Sequence, residues 1–134
     1  MANPTTGGAF DPYFDVRVLG KGDLGYGISA GGTVTQITSS STGVILNRNC
    51  GRITTVALTT AAAAEERFTV TNNLALATDV VCFGTTYNGA GTPALSVLNQ
   101  TNGSFDIVIT NLHAANALNA VMVINFVLLK NALT

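Results

Sequence analysis

The chain is short of charge. Among its 134 residues stand six Lys and Arg and seven Asp and Glu, 10% in all, where roughly 25% is usual. Between Arg67 and Lys130 there is no basic residue, and the only acids are Asp79 and Asp106. A surface so thinly charged is poorly protected against association, so part of it is expected to be buried against identical copies or a larger assembly. A net charge of -1 without a clustered basic face gives no electrostatic footprint for nucleic acid. Disorder is disfavoured in turn by an apolar share of 47% spread through the chain.

Other absences narrow the chemistry. His113 is the sole histidine, and with only Cys50 and Cys82 beside it a zinc site is excluded. No tryptophan and three tyrosines weaken the case for a carbohydrate-binding module, which stacks sugars on aromatic platforms. The longest apolar run, Ala120–Leu129, is about half of the roughly 20 residues that a membrane helix needs. No charged stretch followed by an apolar one opens the sequence, so neither a signal peptide nor a membrane partner is expected. Cys82 lies inside Val80-Val-Cys-Phe83, where a reduced, buried thiol is expected; a Cys50–Cys82 disulfide would need their strands to lie opposite each other.

What is present is glycine, threonine and asparagine around short β-branched runs. Residues 1–32 hold eight of the 14 glycines, two of the three prolines, and the aromatic knot Phe10-Asp-Pro-Tyr-Phe14. Such density builds no regular element, and this segment reads as an extended N-terminal arm. Its aromatics Phe10, Tyr13 and Phe14 either plug one end of the domain or dock on a neighbour, since aromatics bury much area at small entropic cost.

Residues 33–134 read as one β-sandwich domain. Strands are expected over Thr33–Thr38, Val44–Leu46, Gly51–Leu58, Arg67–Asn72, Asp79–Phe83, Ala94–Asn99, Phe105–Thr110 and Ala120–Leu129. Asn102-Gly103 marks a two-residue hairpin. Phe68 and Val70 alternate with Arg67, Thr69 and Thr71, the pattern of a half-buried strand. Thr60–Glu66 contains helix-favouring Ala and Glu but spans fewer than two turns, so a loop or single turn is expected. Seven or eight short strands with frequent turns predict an all-β, antiparallel, jelly-roll-like sandwich.

The last run does not alternate. Val121, Val123, Val127 and Leu129 share one face, and Met122, Ile124, Phe126 and Leu128 the other. A strand apolar on both faces is covered on both. One face serves the core, and Val127 and Leu129 then await a second chain or the folded-back arm.

No constellation for catalysis or cofactor binding emerges. Gly20-Lys-Gly-Asp-Leu-Gly25 matches G-x-G-x-x-G, but a dinucleotide site needs a helix next and an acid about 20 residues on. Gly25–Gly32 cannot hold a stable helix, and no acid occurs between Asp23 and Glu65. His113 in Asn111-Leu-His-Ala-Ala-Asn116 lacks recognisable triad partners. Glu65 and Glu66 are adjacent and point apart in a strand, unlike a glycosidase pair. The Asp residues show no calcium-loop spacing.

The stretch Gly25–Asn47 supplies a resemblance. Gly25-Tyr-Gly27 leads into Gly31-Gly-Thr-Val-Thr-Gln36, then Ser39-Ser-Ser-Thr42, then Thr42-Gly-Val44 with Leu46-Asn47. This order resembles a segment of small structural proteins of tailed bacteriophages, capsid decoration (cement) or head-fibre components, and the likeness covers mainly residues 25–58. It departs at Ser40, where a basic residue often stands. The resemblance implies a non-enzymatic virion protein without cofactors, assembled in the bacterial cytoplasm and located on the capsid exterior. Its implied partners are itself, as a homotrimer, and the major capsid protein or another virion protein. A tail, baseplate or fibre protein is the alternative of the same class.

Overall fold

The computed structural model describes residues 25–131. They form eight strands: β1 (Gly31–Thr35), β2 (Val44–Ile45), β3 (Cys50–Thr54), β4 (Glu65–Thr71), β5 (Val80–Tyr87), β6 (Pro93–Thr101), β7 (Ser104–Asn111) and β8 (Met122–Leu129). Sheet I has the order β1-β3-β8-β5 and sheet II the order β2-β4-β7-β6. No helix occurs among the described residues; Thr60–Glu66 turns at Ala62–Ala63 and enters β4, with Ala63 at a positive φ of 53°. Strand β1 begins at Gly31, two residues ahead of the expected start.

The connectivity is a nested winding. β3 pairs with β8 and β4 with β7, all antiparallel, so the chain wraps one long ribbon around two sheets in jelly-roll fashion. The β6–β7 hairpin closes the inner end at Asn102-Gly103, with Gly103 at φ 101°, a conformation that costs glycine nothing.

The sheets are mixed, however, where the residue pattern predicted wholly antiparallel ones. β1 runs parallel to β3, and β2 parallel to β4. The reason is topological. The β1–β2 segment crosses from sheet I to sheet II in the same sense as β3–β4 and lies alongside it. Between each parallel pair the chain visits the other sheet, which supplies the crossover that parallel neighbours need.

The core lies between the inner faces. Phe68 and Val70 from β4, Phe105, Ile107 and Ile109 from β7, Ile53 from β3, and Met122, Ile124, Phe126 and Leu128 from β8 are all buried. Phe105 and Phe126 meet across the sheets edge to face, centroids 5.9 Å apart at 66°, the arrangement that aromatic quadrupoles favour. Arg67, Thr69 and Thr71 point outward as their alternation predicted.

Polar clusters close the two ends of the sandwich. At one end Asp79, its side chain fully buried, receives Lys130 Nζ at 2.7 Å and the Leu76 amide at 2.9 Å on Oδ2. At the other, fully buried Asn111 extends the core-facing row of β7. Its Nδ2 donates to the carbonyls of Thr60 (3.3 Å), Ala61 (3.1 Å) and Asn116 (2.8 Å). Its Oδ1 accepts the amides of Thr92 and His113, both at 3.1 Å. One side chain thus ties three loops, and no local sequence signal singles it out from the other asparagines.

Candidate association surface

The two outer faces of the sandwich differ in character. In register across sheet II stand Arg67, Val108 and Ser96, then Thr69, Asp106 and Leu98. Thr69 Oγ1 donates to Asp106 Oδ1 at 2.6 Å, and Asn99 Nδ2 to Oδ2 at 2.8 Å. This outer face is hydrogen-bonded across its centre, and its exposed apolar residues, Ile45 and Leu98, stand on the edge strands β2 and β6. These two hydrogen bonds, with Arg67 adding a smaller attraction against a slight opposing effect of burial, hold the Asp106 carboxyl below its ordinary range.

A folded-state value below the unfolded one makes the contribution of Asp106 fully present above about pH 4 and lost as acid protonates the folded carboxylate. Asp106→Asn is therefore expected to leave the melting temperature at pH 7 less affected than its acid dependence, flattening the fall below pH 4. An unchanged acid limb in thermal melts would refute this role.

Sheet I sets its outward apolar residues side by side. Directly paired residues share a face, so Cys50, Val127 and Cys82 form one outward row. Leu129 and Val80 form the next, and Thr54, Val123 and Thr86 lie beyond Arg52, Asn125 and Gly84. Arg52 Nε donates to Asn125 Oδ1 at 3.2 Å. On β8 the alternation of burial is complete: Phe126 is 1% exposed and Leu129 50%. Val127 is half-buried, while Val80 and Val121 stand open. The central strand of sheet I therefore carries valine and leucine on a face that no other described strand covers.

The root of the N-terminal segment reaches this face. Tyr26 Oη donates to the Leu128 carbonyl at 2.5 Å. Among the described residues, Gly25 and Tyr26 line an open pocket of about 420 Å³ together with Cys50, Val127 and Leu129. Two of the residues singled out from the sequence, Val127 and Leu129, are thereby brought together. Phe10, Tyr13 and Phe14 lie outside the described residues.

The cysteines correct one expectation. Cys82 was expected buried and is exposed, because Val81 and Phe83, not Cys82, take the inward positions of β5. Both thiols are free. Strand β8 separates them in register, which sets their Cα atoms roughly 10 Å apart by strand spacing, beyond the about 7 Å limit for a bridge.

The remaining chemistry-bearing residues are engaged locally. His113 Nδ1 accepts the backbone amides of Ala115 (3.1 Å) and Asn116 (2.9 Å), closing its own turn. Glu65 points outward at the start of β4. Glu66 points inward, where the Ser40 and Thr60 hydroxyls both donate to its carboxylate. Ser40 thus stands opposite an acid, which gives the position a physical use for either a hydroxyl or a base. No group of three or more potential metal ligands occurs among the described residues. No helix there is long and apolar enough to cross a membrane. No protein-family model, curated protein or solved structure matches the chain.

Proposed function

We propose that this chain is a structural subunit of a tailed-phage virion, a capsid decoration (cement) protein that self-associates and docks on the shell through the outer face of sheet I. The observation that carries the reading is the asymmetry of the sandwich. The outer face of sheet II is hydrogen-bonded across its centre and exposes Ile45 and Leu98 only on its two edge strands; that of sheet I sets exposed Val80 and Leu129 beside half-buried Val127, with Val121 open at the end of β8 and two free thiols in the same surface. Such a face on a chain with so few charges favours permanent coverage over free solution. The Gly25–Asn47 likeness to phage structural proteins supplies the setting. In that setting the partner is the major capsid protein or another virion protein, and stabilisation needs only complementary surface across a joint between shell subunits. Turnover of a substrate plays no part.

The test is location and attachment. Purified virions imaged by electron cryomicroscopy should show this fold as density on the outside of the head. Capsids assembled without the chain should take it up on addition, and co-sedimentation reads this directly. Its absence from virions would overturn the reading, and density on the tail would move it to the tail or fibre class.

A further inference from the structure

The four edge strands of the sandwich are not equally protected. An exposed edge offers unpaired N–H and C=O groups to any other chain, and folded proteins blunt it by shortness, proline, bulges or charge. β2 is two residues long. β6 opens on Pro93 and breaks register between Leu98 and Thr101, with Asn99 at φ 49°. β1 has five residues, two of them glycine, and follows a turn with Ser29 at φ 73°. β5 is neither short nor bulged, and its one glycine, Gly84, sits inside an unbroken ladder. It runs eight residues in unbroken register with β8, from Val80↔Leu129 to Tyr87↔Met122. It contains no proline and no charge, and the acid just before it, Asp79, is occupied by Lys130.

Its flanks are open as well. The inward residues Val81, Phe83 and Tyr87 are only partly buried against the core, and Thr85 is exposed. No backbone hydrogen bond joins the outer edge of β5 to any described residue.

We infer that the β5 edge pairs with the β5 edge of a second copy, antiparallel about a two-fold axis near Phe83 and Gly84, to make one continuous eight-stranded sheet. The inference rests on the self-association reading, with two copies in place of the three that the resemblance implies, and names its surface. Three features favour a second copy as the occupant. Self-pairing of an uncharged strand sets no like charges opposite each other. An isologous contact closes at two copies and leaves no further β5 edge exposed. The pairing also sets the two outer faces of sheet I side by side, joining Val80 and Cys82 of each copy into one apolar surface twice as wide for the shell. A closed pair then engages the shell bivalently, which raises attachment without any new contact.

The test uses the full chain. Light scattering at micromolar concentration should give twice the monomer mass, and hydrogen exchange should show the β5 amides more protected as concentration rises. Gly84→Lys, at a position where an added side chain meets nothing within 4 Å, places two ammonium groups beside the two-fold. It should weaken the dimer about tenfold or more with unchanged melting, whereas Thr71→Lys on sheet II should not. A monomer at all concentrations would sink both this pairing and the self-association reading. A trimer, or a dimer indifferent to Gly84→Lys, would overturn the β5 pairing alone and leave association through another surface. A monomer in which β5 is protected at every dilution would mean that the chain covers its own edge, which also overturns it.

Discussion

Asn111→Asp should destabilise the fold by about 3 kcal/mol or more, although it changes one amide nitrogen to an oxygen. The amide donates to three carbonyls that are otherwise without a side-chain donor, those of Thr60, Ala61 and Asn116. The carboxylate faces all three with oxygen and is fully buried as a charge, and each such effect is worth roughly 1–3 kcal/mol. The Thr92 and His113 amides keep an acceptor, so the loss is confined to the donor side. Burial among carbonyls raises the pKa of the new acid above its unfolded value. The deficit is then greatest above that raised value and narrows as pH falls. Urea unfolding at pH 7 and pH 5 reads both effects. A midpoint equal to that of the parent protein would show that the three loops are held together without Asn111.

Two adjacent residues of β8 should fail in opposite ways. Phe126→Ala removes a ring that packs edge to face on Phe105 in the core, and should cost about 3–5 kcal/mol. Shell attachment should then fall only as far as the folded population falls. Val127→Asp changes a residue on the outer face of the same strand, between Cys50 and Cys82. The carboxylate can reach water in the isolated chain, so melting should move little. Buried against a partner, the same carboxylate has no cation beside it in its row, and capsid co-sedimentation should weaken by about 100-fold. A stable Val127→Asp protein with normal capsid attachment would show that this face is not the docking surface. A Val127→Asp protein that fails to fold would show that the face is covered within the chain itself.

The contrast between Phe126 and Val127 also marks how much of the site could be read in advance. Both faces of β8 are apolar in the sequence, and Asn125 is the single interruption. Periodicity separated the residues into two sets. Asn125 falls in the set of Val123, Val127 and Leu129, the face expected to await a partner, while Met122, Ile124, Phe126 and Leu128 run apolar without interruption. The structure buries that second set, with Phe126 against Phe105 on β7. For β4 the outcome was legible beforehand, since Arg67, Thr69 and Thr71 do not bury beside Phe68 and Val70.

Other features lay outside local pattern altogether. The parallel placement of β1 beside β3 and β2 beside β4 depends on which sheet the chain enters after each crossing, and no residue in Gly31–Thr35 encodes that direction. Cys82 was misplaced because it sits in an unbroken apolar run, where alternation gives no phase. Nothing in the sequence around Asn111 sets it apart from the other asparagines. Its five side-chain bonds are with partners up to 51 positions away, and a long-range hub has no local signature.

By itself the sequence determined the class of this protein: charge-poor, all-β, with seven or eight strands and a hairpin at Asn102-Gly103. Those properties follow from composition and short-range spacing, which act within a strand or a turn. The tertiary structure alone decided which strands run parallel, which edge stayed open, and which polar residue locked the loops. Each of these is fixed by pairing between segments far apart in the chain, where register and crossing direction, not local preference, set the energy.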